Sequence, residues 1–214
     1  SADSTMSFGV AKRGLLVARD VCGAISIVDI GLNAGDLMTR LPLLVDDEWT
    51  HSRIPSIPVD AHKGTRKRLA VVGGSSGMAG AAILSGQGAL RSGIGLLDIY
   101  CEQESIVSIH AAMPAAIVHP WPESPEAIAS LVEKADCVAL GPGLGKSDHT
   151  RSLVERILIA WSGSVVLDAD ALNVFEGDLA SLAKLLKGRD AVLTPHPAEM
   201  GRLLGIETAE IVTN

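Results

Sequence analysis

The 214-residue sequence has little of several features that would assign it to a common class of protein. Its three cysteines, Cys22, Cys101 and Cys137, form no CxxC pair or Cys/His spacing, so neither a zinc site nor a disulfide framework is indicated. The formal charge of −7 argues against a nucleic-acid surface, which needs an organised basic excess. No apolar stretch approaches the ~18 residues of a membrane span, and no secretion signal opens the chain. We therefore expect a cytoplasmic protein with neither nucleic-acid nor membrane partners.

Aromatic residues are also scarce, at 3%, whereas hydrophobic residues make up 47% of the chain and glycines number 22. The core must therefore be built from Ala, Val, Leu and Ile, which suits a tightly layered α/β protein. The length allows one principal domain, because single cores commonly take ~100–200 residues.

From residue 68 onward, short apolar runs alternate with segments of helical periodicity. The apolar runs are typical of strands buried on both faces, and they predict strands at 69–72, 95–101, 137–140, 164–167 and 191–193. Helices are predicted between them, at 80–91, 125–134, 149–160, 179–186 and 198–204. This alternation indicates βαβ units and a mostly parallel sheet.

The first 60 residues follow a different pattern. Two short apolar runs, at 14–18 and 24–30, predict strands. The stretch at 33–60 contains prolines that exclude a long regular helix, which indicates a linker.

Four unusual loops each follow a predicted strand, and they carry the functional signal. They are GGSSGMAG at 73–80, GPGLG at 141–145, DADALN at 168–173 and TPHPAEM at 194–200. Ligands of open α/β sheets bind outside the carboxyl ends of the strands, which lie along one edge in a parallel sheet. We therefore expect the four loops to face one pocket.

The glycine-rich loops predict close approach of a ligand to the backbone. The loop at 73–80 could offer backbone N–H groups to an anion or a dipolar group, although it matches neither GxGxxG nor a P-loop and a tight turn is the alternative. Ala81 and Ala82 lack bulk, which lets a flat ligand approach. The glycines at 141–145 leave backbone amides uncovered by side chains.

Polar side chains distinguish the other two loops. Asp168 and Asp170 end a strand, so one is expected to face the crevice and the other the adjoining loop, with helix N-capping as the alternative for one of them. His196 lies between two prolines, and Glu199 three residues later can help to cap the next helix. A histidine held so rigidly indicates a ligand-orienting role.

Five motifs in order carry a family resemblance. They are HKG at 62–64, GGSSGMAGAA at 73–82, GPGLG at 141–145, VLDADALN at 166–173 and LTPHPAEMGRLLG at 193–205. Together they resemble the ADP/ATP-dependent NAD(P)H-hydrate dehydratases. The resemblance implies a ribokinase-like three-layer α/β fold with a mostly parallel sheet, truncated at its C-terminal end. It also implies a lyase of metabolite repair: a nucleotide phosphorylates the hydroxyl of the hydrated nicotinamide, and loss of phosphate and a proton regenerates NADH or NADPH.

Carried over residue by residue, the resemblance implies substrate contacts at Ala81, Gly143 and His196, and further contacts at Asp168 and Asn173. The implied cofactors are ADP or ATP with Mg²⁺, while no protein metal site is indicated. The family's lysine-containing nucleotide loop and its GxGD segment, whose aspartate is the expected base, do not occur in the sequence. The catalytic residue therefore stays unassigned.

That departure predicts an internal fragment of a bifunctional enzyme, with poor nucleotide binding, slow or no turnover and an uncovered sheet edge. Residues 1–36 resemble the closing segment of NAD(P)H-hydrate epimerase, and residues 37–214 comprise a linker and the N-terminal part of the dehydratase domain. The sequence leaves a homo-oligomer open. It also leaves open a ribokinase-like kinase of a small alcohol or vitamin precursor, such as hydroxyethylthiazole, and a non-catalytic dinucleotide-binding module.

Overall fold

A computed structural model describes residues 1–31 and 45–213. The chain divides into two compact units, Ser1–Ser56 and Ile57–Asn214. The first unit contains two strands that pair in parallel, β1 (Ser4–Phe8) and β2 (Ala24–Val28). Its helices are α1 (Arg13–Val17), α2 (Arg19–Cys22) and α3 (Asp47–Arg53). None of the helices in the described residues is long and apolar enough to cross a membrane.

The structure of the first unit differs in part from the sequence prediction. The strand predicted at 14–18 is wrong, because this short apolar run lies in α1 and none of the residues of α1 is buried. The strand predicted at 24–30 is confirmed as β2. The predicted linker lies partly outside the described residues, and its described part holds the short helix α3. Asp46 caps α3 by accepting a hydrogen bond from Trp49 N at 2.8 Å, and the helix ends before Pro55.

Six parallel strands form the sheet of the second unit. They are β3 (Arg68–Val72), β4 (Leu96–Cys101), β5 (Ile117–Pro120), β6 (Cys137–Leu140), β7 (Ser164–Leu167) and β8 (Ala191–Leu193). Their order across the sheet is β5-β4-β3-β6-β7-β8. Five of them confirm the predicted strands to within one residue at each end. The sequence did not predict β5, whose His119 and Pro120 are tolerated because this strand lies at an edge of the sheet.

Helices cover both faces of this sheet. The helices of one face are α4 (Ala79–Arg91) and α5 (Ile106–Ala112), which pack on Val71 and Ile99. The helices of the other face are α6 (Pro125–Lys134), α7 (Asp148–Ala160), α8 (Asp170–Asn173), α9 (Leu179–Leu186) and α10 (Pro197–Leu204), followed along the chain by α11 (Thr208–Thr213). The predicted three-layer α/β arrangement with a parallel sheet is confirmed.

The predicted helices α4, α6, α7, α9 and α10 are confirmed to within one residue at each end. Four of them begin at side chains that accept a hydrogen bond from the first turn: Ser124, Ser147, Asp178 and His196. These caps satisfy amides that have no partner within the helix, which fixes where each helix starts. The short helices α5, α8 and α11 were not predicted.

Candidate active site at the sheet edge

The strand order places a topological switch point between β3 and β6. The chain runs outward from β3 through β4 to β5, then returns to the other side of β3 and runs outward again through β7 to β8. The helices that follow β3 and β6 therefore cover opposite faces of the sheet. Such a switch point is where ligands bind in open α/β sheets. The loops at 73–80 and 141–145 lie at this point, and those at 168–173 and 194–200 follow the next two strands, which confirms that the four loops share one edge.

The two glycine loops interlock through their backbones. Gly74 N donates to Pro142 O at 2.9 Å and Ser75 N donates to Gly143 O at 2.7 Å. A Cβ on Gly73 would overlap the carbonyl oxygen of Pro142. The loops therefore continue the contact between β3 and β6 beyond the strands, at a separation that only glycine permits.

Two predicted substrate contacts, Ala81 and Gly143, lie side by side. A Cβ on Gly143, whose φ is +64°, would lie 3.1 Å from the Cβ of Ala81 and 2.7 Å from the carbonyl oxygen of Met78. The backbone of the 141–145 loop thus packs directly on the first turn of α4. The Cβ of Met78 lies 3.0 Å from the same position, so Gly143 meets backbone, the Ala81 methyl group and the Met78 side chain. The substrate contacts themselves remain a prediction.

Carboxylates occupy two of the backbone amides in these loops. Glu102, directly after β4, accepts a hydrogen bond from Ser76 N at 2.5 Å. Asp170 Oδ2 accepts one from Gly145 N at 2.8 Å. The expectation of uncovered amides at 141–145 is wrong at Gly145, whereas the Ser76 amide in the 73–80 loop does receive an anion, the carboxylate of Glu102. Two negative charges here disfavour an anionic ligand and favour a neutral polar one.

The turn after β7 directs its two aspartates to different partners. Ala169 between them has φ +47° and ψ −114°, which residues other than glycine rarely adopt. Asp168 Oδ1 accepts from Thr194 Oγ1 at 2.7 Å, whereas Asp170 reaches the adjoining 141–145 loop. Ala169 is the N-cap residue of α8 and no side chain caps that helix, so capping by an aspartate is wrong. Asp170 facing the adjoining loop is confirmed.

The Asn173 side chain makes hydrogen bonds in two directions. Its Nδ2 donates to Asp170 Oδ1 at 3.3 Å, and its Oδ1 accepts from Arg202 Nε at 3.1 Å and Nη2 at 2.8 Å. These bonds tie α8 to α10 and orient Asp170. A direct contact between Asn173 and substrate stays a prediction.

His196 is the N-cap of α10. Its Nδ1 accepts from Ala198 N at 3.2 Å and from Glu199 N at 3.3 Å, while Glu199 Oε2 accepts from His196 N at 3.0 Å. This capping box confirms the expected role of Glu199. Because Nδ1 accepts, the ring proton is on Nε2. This nitrogen lies 3.3 Å from Glu199 Oε1, and the His196 side chain that carries it is 59% exposed. Contact with substrate through this nitrogen stays a prediction.

Three residues at the same edge were not predicted as site residues. Glu102 follows a strand that the sequence did predict, so the edge argument could have found it. Trp121 follows β5, and its Nε1 donates to Gly73 O at 3.0 Å. Ser75 is 8% exposed, and its hydroxyl has no partner in the described part of the chain. Within residues 1–31 and 45–213, no group of three His, Cys, Asp or Glu residues could hold a metal ion.

A second charged cluster joins β3, β4 and β5 within the sheet. Asp98, 2% exposed, forms an ion pair with Arg68 and lies 2.8 Å from His119 Nε2. Burial raises the pKa of Asp98, but hydrogen bonds from Arg68 and His119 outweigh burial and hold the pKa below its ordinary value. The same buried surroundings, with the charge of Asp98, raise the pKa of Tyr100 to about 12. Asp98 is therefore ionised and ties three strands together.

The sequence profile of the NAD(P)H-hydrate dehydratase family matches residues 69–211. This chain belongs to that family. It is 34% identical over 215 residues to the bifunctional NAD(P)H-hydrate repair enzyme of Escherichia coli K12, covering 99% of this chain and 40% of that protein. It is 37% identical over 163 residues to the ATP-dependent (S)-NAD(P)H-hydrate dehydratase of Bos taurus, covering 73% of this chain and 48% of that one.

Solved structures give the same fold. An ADP/ATP-dependent NAD(P)H-hydrate dehydratase of Bacillus subtilis, co-crystallized with ATP/Mg²⁺, superposes with a TM-score of 0.65 at 31% identity, covering 78% of this chain and 57% of that one. A ribokinase-like superfamily protein of Enterococcus faecalis V583 superposes with a TM-score of 0.65 at 26% identity, covering 73% and 54%. The ribokinase-like assignment is confirmed. The chain spans about two fifths of the length of the bifunctional relatives that it matches.

Proposed function

We propose that this chain acts in the nucleotide-dependent dehydration of hydrated NADH and NADPH, which returns them to NADH and NADPH. Family membership supports the reaction, because bifunctional and single-activity relatives are both named for it. The structural observation that supports it most is the direct packing of Gly143 on Ala81 at the switch point. A wall of backbone and small side chains suits a neutral nicotinamide ring.

Each predicted site residue has a place in this proposal. Ala81 and Gly143 line one side of the hydrated ring, and the exposed imidazole of His196 offers the ring its Nε2 in place of the 3.3 Å contact with Glu199 Oε1. Asp168 uses one carboxylate oxygen for Thr194, and no donor in the described residues binds the other. Asn173 acts with them through Asp170. The carboxylates at the crevice are compatible with an uncharged ring.

ADP or ATP with Mg²⁺ is the proposed cosubstrate, which converts the ring hydroxyl into a phosphate leaving group. The Bacillus subtilis relative was co-crystallized with ATP/Mg²⁺. The amides of Ser76 and Gly145 do not fit phosphate groups, because they already bind carboxylates. We therefore assign no phosphate contact and no catalytic base to these residues.

We also propose that residues 1–36 are a remnant of an epimerase domain and that residues 37–214 are a linker and the N-terminal part of the dehydratase domain. The bifunctional relative from Escherichia coli matches 99% of this chain, whereas the single-activity relative from Bos taurus matches 73%. The family profile begins at residue 69. The cytoplasm is the proposed compartment, and the sequence leaves a homo-oligomer open.

The test combines binding with turnover. The chain is titrated with NADPH hydrate by calorimetry, then incubated with the hydrate, Mg²⁺ and ADP or ATP while the absorbance of reduced nicotinamide is followed. We expect saturable binding of the hydrate and, at most, a slow return of absorbance that requires nucleotide. Equally tight binding of NADPH and of its hydrate, without turnover, would indicate the non-catalytic dinucleotide-binding module. Phosphorylation of hydroxyethylthiazole without hydrate binding would contradict the proposal.

A further inference from the structure

The Ser75 hydroxyl is an exception among the buried polar groups. Ser75 is 8% exposed, and its backbone is fully engaged: N donates to Gly143 O at 2.7 Å, and O accepts from Met78 N at 2.8 Å and from Ser105 Oγ at 3.1 Å. Its own Oγ has no hydrogen-bond partner. Among the buried side chains of residues 1–31 and 45–213, it is the only hydroxyl in this state.

An unpaired hydroxyl in a protein interior is unfavourable, because it has lost its bonds to water and gained none. Native structures keep few such groups, and each one calls for an explanation such as a functional role or an ordered water. A serine at this position is explained if its hydrogen bond forms when a ligand binds.

The hydroxyl lies where the two glycine loops meet. A Cβ on Gly145 would lie 3.7 Å from Ser75 Oγ and 3.5 Å from Met78 Cε. Because residue 145 is glycine, no side chain of its own fills that space. Met78, which shares the space, is 40% exposed and has a flexible, unbranched side chain. A ligand that displaces the Met78 side chain would occupy this space beside the hydroxyl.

The surroundings of Ser75 select an uncharged partner. The amides of Ser76 and Gly145 donate to Glu102 and Asp170, so negative charge is already present at this point. A phosphate or carboxylate would be repelled here. A hydroxyl both donates and accepts, which suits an amide or alcohol group.

We propose that Ser75 contacts the substrate, by a hydrogen bond between its hydroxyl and the uncharged polar end of the hydrated nicotinamide, its carboxamide or its ring hydroxyl. This inference rests on the proposed function and adds a specificity-determining residue to it. Because Ser75 and the neighbouring carboxylates accept the neutral ring and repel the phosphates, they also determine which end of the dinucleotide binds here.

The test compares Ser75→Ala with Ser105→Ala. Ser105 is a matched control, because it is 3% exposed and its hydroxyl is already bonded to Ser75 O. Each variant and the wild-type chain are titrated with NADPH hydrate by calorimetry, and their Tm is measured by circular dichroism. We expect Ser75→Ala to raise the Kd about tenfold, the loss of one ligand hydrogen bond, with Tm unchanged or higher. Ser105→Ala should lower Tm and change the Kd much less.

Ser75→Cys provides a second measurement, since it replaces the hydroxyl with a somewhat larger thiol that donates and accepts only weakly. Its Kd should lie between those of the wild type and Ser75→Ala. If Ser75→Ala lowers Tm as Ser105→Ala does and leaves the Kd unchanged, an ordered water holds the hydroxyl and the inference is overturned. A wild-type chain that binds no hydrate overturns the proposed function and this inference together, whereas unchanged affinity in a binding protein overturns the inference alone.

Discussion

The two halves of the candidate site are held together by different means. We call the loops at 73–80 and 141–145 the glycine half, and those at 168–173 and 194–200 the side-chain half. The glycine half is held by backbone hydrogen bonds and by contacts too close for a side chain. The side-chain half is held by bonds such as that of Thr194 with Asp168. The first should tolerate no added atom at Gly73, Gly141 or Gly143, whereas the second should accept any group that makes the same bond.

The largest effect is expected at Gly141, where the halves meet. Its φ is +125°, and a Cβ there would overlap the carbonyl oxygen of Asp168 and lie 3.0 Å from the Cβ of Ala171. Gly141→Ala should lower the free energy of unfolding by at least ~3 kcal/mol, measured by urea denaturation. The matched control is Gly188→Ala, at φ +78° with no atom within 4 Å, which should cost about 1–2 kcal/mol. Equal losses would show that close contact does not distinguish the glycine half.

The contrast between tight glycine contacts and tolerant side-chain bonds should fail where the side chains are buried. Asp98, which lies outside both halves of the site, tests this. Asp98→Asn should lower the free energy of unfolding by about 2–3 kcal/mol at neutral pH, because Arg68 and His119 lose their charged partner. The pKa of Asp98 is lowered in the folded protein, so its contribution is complete above the ordinary carboxyl pKa of about 4 and is lost as pH falls through the lower folded value.

The direction of the Asp98 pKa shift allows a second measurement on the wild type and Asp98→Asn. Below about pH 4 the stability of the wild type should fall more steeply than that of Asp98→Asn, and the two should converge in acid. Urea denaturation at a series of pH values checks it. A difference that stayed constant down to acid pH would assign the loss to packing instead of charge.

The smallest effect is expected at His196, where the side-chain half should accept a substitute cap. Asparagine is a good N-cap, so His196→Asn should keep stability within about 0.5 kcal/mol, whereas His196→Ala should lose about 1 kcal/mol. Both should raise the Kd for NADPH hydrate about tenfold if the imidazole contacts substrate. Unchanged affinity in His196→Asn would leave His196 with a capping role only.

Local pattern was sufficient for the central strands and for the longer helices. Strands β6 and β7 are apolar on both faces because helices cover both. The start of α6 is indicated by Ser124 as N-cap and Pro125 at the first helical position. The strand prediction at 14–18 failed, because a short apolar run fits a strand or a helix and only packing decides between them. β5 failed because an edge strand need not look like a buried one.

The site was predicted as a set of loops, but not as a set of bonds. The edge argument located the four loops, because it depends only on parallel strands and their order. That Asp170 binds Gly145 N, or that Glu102 binds Ser76 N, depends on contacts between loops distant in sequence. No local pattern encodes such a pairing. The unpaired Ser75 hydroxyl is visible only once every other partner has been assigned.

The central position of β3 has a consequence for the nascent chain during synthesis. Val72 pairs with Tyr100 on one side and with Leu140 on the other, so one flank of β3 is filled early in synthesis and the other much later. Until β6 has left the ribosome, the nascent chain carries an unfilled strand flank that can pair with other chains. The crevice walls therefore meet late in vectorial synthesis, and the interval before they meet is when the polypeptide is most exposed to aggregation.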